Sequence, residues 1–262
     1  IMLAPQEGSI DGLYYNKDLF AQYGWQVPTT FDELLALVPQ TNAQGIATLV
    51  TGGKDGRFAW MASALLVRAA GLANFTELTL GEHKTSWNDP AYGFVTMMTK
   101  FKQLVDAGAF PKGVLGMSAT EADQLFARGE AAMYYEGAWK PGNFNTAGGP
   151  EFLAKLGRVD FPTMTDCPDG DPNVRVGGNI TGFFVASGLS EEKQDLCIQL
   201  ARDICSPEFN IPIMEGGGFV YAGIADYDAT KVSSVMNELI QAYRTAGAYI
   251  PSMDTIAPPA VD

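Results

Sequence analysis

Histidine is almost missing from this 262-residue chain, which carries only His83. Its place in a polar loop, Gly81-Glu82-His83-Lys84, rules out multi-histidine zinc sites and argues against Ser-His-Asp or Cys-His catalysis. It reads as a solvated surface residue. Cysteine is scarce as well: Cys167, Cys197 and Cys205 make an odd number at no metal-ligand spacing. A bridge from Cys197 to Cys205 would need the chain to bend near Ser206-Pro207. On one continuous helix the two would stand ~12 Å apart, beyond a disulfide's reach. Unpaired buried thiols are the plainer reading. Basic residues are outnumbered, 17 against 30 acids, for a net charge of −13. Such a surface repels phosphate backbones and anionic headgroups, so nucleic acid is not expected as a partner. No uninterrupted apolar run approaches the ~18 residues of a membrane span. The opening Ile1-Met2-Leu3-Ala4-Pro5 lacks the basic and long apolar parts of a secretion signal. A mature exported chain would lack them too, so the compartment stays open.

What is present is an ordinary globular composition, 47% hydrophobic and 18% charged, in a chain long enough to bury a substantial core. Helix signals are plain. Thr30 with Glu33 forms a capping-box pattern before Leu34, Leu37 and Val38, with Pro39 expected to end the run. Asn88-Asp89-Pro90 is expected to open a longer helix with Phe94, Met97, Met98, Phe101, Leu104 and Val105 on one stripe, closed near Gly108. Ser118 with Glu121 is a second capping box, leading to a stop at Gly129. Ser190 starts a helix bearing Leu196, Leu200 and Ile204, and Val232, Met236, Leu239 and Tyr243 mark another. Strands are expected at 13–15, 46–50, 131–135, 157–161 and 182–185, each bounded by turn residues. Strands and helices alternate, which predicts an α/β fold with a mixed sheet flanked by helices. The stretch Met164–Asn173, rich in Pro, Asp and Gly, reads as an exposed loop.

Four landmarks in order carry a family resemblance. The first is Gly12-Leu13-Tyr14-Tyr15-Asn16-Lys17-Asp18-Leu19-Phe20, followed by Gly24 and Pro28-Thr29-Thr30-Phe31-Asp32-Glu33-Leu34. The second is Thr51-Gly52-Gly53-Lys54-Asp55-Gly56-Arg57-Phe58-Ala59-Trp60, ahead of an Ala-rich helix. The third runs from Gln124 through Phe126, Gly129-Glu130-Ala131-Ala132-Met133 and Tyr134-Tyr135-Glu136 to Gly137-Ala138-Trp139. The fourth pairs Phe161-Pro162 with Val176-Gly177-Gly178-Asn179. Together they resemble carbohydrate-type extracellular solute-binding proteins of ABC importers, the maltose-binding-protein-like group, from about residue 10 to 253. The resemblance implies a lobe of the type II periplasmic-binding-protein kind, with no catalytic set and no cofactor. Complete members carry a first lobe ahead of the strand at which this chain opens. Residues 1–262 are therefore expected to be mainly the second, C-terminal lobe, with 183–221 crossing back to the missing one. The implied setting is periplasmic or extracellular, a cell-surface lipoprotein included. The implied partners are a small carbohydrate and the membrane subunits of an ABC permease. The full-length form is expected to be a monomer that closes about a hinge on its ligand.

A sugar shows hydroxyls at its rim and C–H groups on its faces, so its site needs aromatic platforms and planar polar groups. By resemblance Trp139 is the ligand-stacking tryptophan, placed after a glycine at a strand end where its ring can project. The alternative is core packing. Phe58 and Trp60, after a Gly-rich loop, serve as platform or core. Arg57 and Asp55 could hydrogen-bond vicinal hydroxyls or form a solvated loop pair. Gly178 and Asn179, next to Gly177, offer open backbone and an amide, or simply mark a hinge. Glu136 is placed as a hydroxyl acceptor or as the cap of a backbone turn. Gly216-Gly217-Gly218 lacks the preceding strand and Lys/Ser partner of a phosphate cradle and reads as a loop. Two other functions stay open. One is a binding protein for a non-sugar solute such as a polyamine, which suits the acidic balance. The other is a two-carboxylate glycosidase, for which Asp55 and Glu136 are the first residues to test.

Overall fold

The computed structural model describes residues 2–81, 86–223 and 225–256, with the side chains of 2–5, 179 and 180 outside that description. His83 falls outside the described residues. The chain opens with β1 (Met2–Ile10), turns at Asp11 into β2 (Gly12–Asn16), and continues into α1 (Lys17–Tyr23). Asn16 caps α1 through its side chain, and Gly24 closes it in the left-handed conformation. The Thr30/Glu33 capping box is formed and opens α2 (Phe31–Asn42). Pro39 does not end this helix. Its carbonyl still accepts from Ala43 N at 3.1 Å, and the last turn is held by a buried Thr41–Thr48 hydroxyl pair at 2.7 Å.

Next come β3 (Ala47–Val50), α3 (Arg57–Thr79) and α4 (Phe94–Asp106). Asp89 caps only a short 3-10 turn, Pro90–Tyr92, and Gly93 at φ 67° restarts the chain as α4. The expected single stripe on α4 is split: Met97 and Leu104 are buried, whereas Met98 and Val105 face solvent. Among the described helices only α3 has the length and composition to cross a membrane, but 56% of that apolar window is buried within this fold. Gly71, at φ 75° and ψ 169°, also breaks α3 into two helices. A Cβ there would stand 2.3 Å from the Asp169 carbonyl oxygen, so the kink follows from close packing of the 164–173 loop.

The second capping box, Ser118/Glu121, opens α5 (Ala119–Ala127), which Gly129 ends before β4 (Ala131–Glu136). Then follow α6 (Lys140–Ala154), β5 (Leu156–Val159) and β6 (Val174–Phe184). The described residues continue through α7 (Glu191–Ile204), α8 (Pro207–Glu215), β7 (Val220–Tyr221), α9 (Ser234–Arg244), β8 (Ala248–Ile250) and α10 (Met253–Ile256). Cys197 lies on α7 and Cys205 caps its C-terminus, so the helix keeps them apart and no disulfide forms.

These elements form the expected α/β architecture as two four-stranded sheets, ordered β3-β4-β2-β5 and β7-β1-β6-β8. In the first, β2 runs antiparallel to β4 and β5 while β3 is parallel to β4, which makes it mixed. It is buried on both faces. Leu13, Met133 and Tyr135 pack with α2, α3 and α4; Tyr14 and Tyr134 pack with Phe126, Phe144 and α9. The second sheet is built on a β1–β6 ribbon with little local sequence signal. The sequence pattern predicts only its end, 182–185, as a strand. Ser9 pairs with Gly178 and Ile10 with Gly177, so the double glycine is strand interior rather than a turn. Gly177, at φ 131°, is required there because a Cβ would lie 2.2 Å from the Ser9 carbonyl oxygen.

Candidate functional site

The two sheets meet where β1 passes into β2, and a cleft of about 400 Å³ opens at that junction. Its lining residues include Trp60, Trp139, Ser9, Asp11, Ser252 and Thr255, with the backbone of Gly177 at its floor. Each wall comes from a different element, so the cleft exists only once both sheets are in place.

Trp139 is half-buried, neither sealed in the core nor fully free. Its position follows from the turn after β4. Tyr14 Oη donates to the Gly137 carbonyl at 2.7 Å, and Ala138 N donates to Ser9 Oγ at 3.1 Å. Gly137 is needed for closeness rather than flexibility: a Cβ there would come within 2.2 Å of the Trp139 ring. The indole thus folds back over bare backbone. Trp60, on the first turn of α3, meets it at 88° with centroids 5.3 Å apart.

Arg57 belongs to this pair. Its guanidinium carbon lies 3.9 Å from the centroid of the Trp60 ring, and Nε is 3.3 Å from Glu136 Oε1. One face of Trp60 is therefore taken by a cation. Glu136 is fully buried at the end of β4. Lys140 Nζ stands 3.9 Å from its other oxygen and pairs more closely, at 2.7 Å, with Asp123. Burial pushes the Glu136 carboxyl up to about 7, against the pull of Lys140 and Arg57. Glu136 Oε2 and Arg57 Nε are both buried without a hydrogen bond. The arrangement supports the indoles from beneath; Glu136 is not among the groups that line the cleft.

Asp11 is the carboxyl at the cleft floor. Burial, and then the charge of Glu136, raise it well above the usual carboxylate range. Tyr135 Oη donates to its Oδ2 at 3.3 Å, and its backbone carbonyl accepts from Arg158 Nη2 at 2.9 Å. Behind it Asp160 binds Arg175 through two hydrogen bonds, 3.0 and 2.7 Å, and pairs with Arg158 at 2.5 Å. Burial alone would raise Asp160, but the Arg175 hydrogen bonds and the Arg158 charge outweigh it and hold the carboxyl low. This network clamps β2, β5 and β6 under the site.

Of the residues singled out in the sequence, the structure thus brings Trp139, Trp60, Arg57 and Glu136 together. It places two elsewhere. Asp55 Oδ2 accepts from Ala119 N at 2.7 Å, so it tethers the start of α5. Phe58 packs edge-on against Phe101 and Phe110, with centroids at 5.6 and 5.2 Å, in a separate aromatic cluster. Gly178 and Asn179 contribute backbone to the ribbon, paired with Ser9 and Gly8. The sequence reading did not point to Ser9, Asp11, Ser252 or Thr255. An acid between a buried isoleucine and a glycine, Ile10-Asp11-Gly12, was the one available signal. Among the described residues no group of His, Cys, Asp and Glu is arranged to hold a metal ion.

Known proteins resemble this chain in sequence and in fold. The model of the bacterial extracellular solute-binding protein family matches residues 2–192. The multiple sugar-binding protein of Streptococcus mutans is 28% identical over 140 residues, covering 52% of this chain and 33% of that protein. A solved structure from work on xylan utilization by the thermophile Caldanaerobius polysaccharolyticus superposes with a TM-score of 0.86 at 26% identity, over 97% of this chain and 64% of that one. A chitin oligosaccharide binding protein shares the fold, with a TM-score of 0.83 at 23% identity, over 98% and 62%. The chain thus spans a third of that curated relative's length and under two thirds of these solved chains.

Proposed function

The chain belongs to the bacterial extracellular solute-binding protein family, and from that premise we propose that its cleft captures a carbohydrate for an ABC importer. The observation that carries the reading is the pair of perpendicular indoles, Trp60 and Trp139, over a cleft with hydroxyl and carboxyl partners at Ser9, Asp11, Ser252 and Thr255. Apolar ring faces suit sugar C–H groups, and the polar set suits hydroxyls. Because burial favours the protonated form of Asp11, this carboxyl can both donate and accept, as a hydroxyl partner must. The protein works outside the cytoplasmic membrane and hands its ligand to permease subunits.

In the same reading residues 1–262 form the second lobe, and 183–221 crosses to a first lobe. Phe184 is 75% exposed, Leu196 60% and Leu200 59%, and Phe209 on α8 is also exposed. Exposed apolar side chains gathered in one stretch of chain suit a covering partner. Ligand bridging two lobes would favour the closed form that a permease recognises. Hydrolysis finds no support. Glu136 is fully buried, Asp55 tethers α5, and the family is one of binding proteins.

The test is calorimetry and ligand-dependent melting of the two-lobed protein with xylobiose, chitobiose, maltose, galactose and spermidine. We expect one sugar to bind, and Trp139→Ala to weaken it by roughly 30-fold or more, as loss of a central aromatic anchor does. Spermidine binding without any sugar response would replace the carbohydrate by a polyamine.

A further inference from the structure

The closing segment of the described chain reaches across to the aromatic wall. β8 runs parallel to β6, pairing Tyr249 with Arg175 and Ile250 with Val176, and so delivers residues 251–256 to the cleft mouth. There the segment docks on α3. Met253 N donates to Ser63 Oγ at 2.8 Å, and Ser63 in turn donates to the Ala59 carbonyl at 2.7 Å, one turn back along the helix. Asp254 uses both carboxylate oxygens: Oδ2 accepts from Trp60 Nε1 at 3.0 Å, and Oδ1 accepts from Ser252 Oγ. Ser252 and Thr255 line the cleft beside Trp60. Thr255 is fixed to Ser252 by its amide at 3.0 Å and its hydroxyl at 2.7 Å.

We propose that Asp254 is a positioning residue, which holds the Trp60 indole square to Trp139 and at the same time fixes Ser252 in the cleft wall. Trp60 also packs against the core, but that packing is not directional. Arg57 covers one ring face, and the Trp139 contact is a single edge-to-face meeting. An indole N–H is a single directional donor, so its acceptor sets the orientation of the ring. A carboxylate acceptor makes that bond charge-assisted and stronger than a neutral one. The aromatic wall is therefore shaped by two distant parts of the chain, α3 and α10. The consequence for affinity rests on the carbohydrate reading above; the orientation of the indole does not.

The experiment compares Asp254→Ala, Asp254→Asn, Trp60→Phe and the double variant Asp254→Ala/Trp60→Phe. It reads near-ultraviolet circular dichroism of the ligand-free protein, and calorimetric affinity for xylobiose, chitobiose and maltose. Asp254→Ala is expected to reduce the indole signal and to weaken the sugar that binds by about 5- to 10-fold. Asp254→Asn keeps an acceptor oxygen and should keep most of both. In the Trp60→Phe background, which lacks the N–H, the indole share of the Asp254→Ala loss should vanish, leaving only the smaller share that runs through Ser252. An unchanged indole spectrum in Asp254→Ala, or an equal loss of affinity with and without the Trp60 N–H, overturns the assignment. If none of the sugars binds, the carbohydrate reading falls, and the spectra alone decide the role of Asp254.

Discussion

Glu136 shows how a residue that looks like a ligand contact can act from behind the site. It stands at the end of β4, beside Gly137 and Trp139, where a hydroxyl acceptor is expected, yet its carboxyl is fully buried. Arg57 faces it from α3, Lys140 from α6, and Asp123 from α5. Its folded pKa of about 7 lies above the ordinary value of 4.5. The folded state therefore keeps a proton that the unfolded chain has already released. The stability contributed is full below 4.5, declines as pH rises through that window, and is lost above about 7. Glu136→Gln cannot ionise, so it should flatten the melting temperature between about pH 5 and 8 relative to the parent. A parallel offset with the original slope would show that another group titrates. Trp60 and Trp139 stand out in the sequence as large aromatics after glycines, and both line the cleft. Residue chemistry was not legible at Asp55 and Phe58, whose neighbours, Ala119, Phe101 and Phe110, are distant in the chain.

Among the elements, helices were easier to read than strands for a local reason. Thr30/Glu33 and Ser118/Glu121 satisfy orphan amides within four residues, so α2 and α5 start where the sequence says. The ribbon of β1 and β6 depends on pairing across some 170 positions, from Ser9 to Gly178, and neither strand has a clean period. Pro5 and Gly8 weaken β1, and the glycines of β6 look like a turn. The double glycine makes sense only against the Ser9 carbonyl. Gly177→Ala should therefore strain the ribbon and destabilise the protein by about 1–3 kcal/mol. The equivalent change at Gly149, also at positive φ but with nothing within 4 Å, offers a control for backbone strain without the clash. Equal losses at the two sites in urea unfolding would remove the clash from the argument.

At the scale of the molecule, the 183–221 segment leaves four large apolar side chains exposed. Leu196 and Leu200 on α7 are exposed, as are Phe184 and Phe209. If a first lobe covers these side chains, the chain by itself should associate as concentration rises. Leu196→Glu/Leu200→Glu should shift it towards monomer in sedimentation velocity. In the two-lobed protein the same pair should lower the melting temperature. A parent chain that stays monomeric throughout, with no effect of the pair in the two-lobed form, would leave the crossing of 183–221 without support.

The sequence by itself determined the class of this protein. Caps, stripes and turn residues act over a few positions and impose alternating helices and strands. Only the tertiary structure decided the site. Asp11, Ser252 and Asp254 reach the indoles through sheet pairing and docking over long chain separations. A side chain's role there depends on which buried charges and backbone atoms it meets, and such meetings leave no local trace in the order of residues.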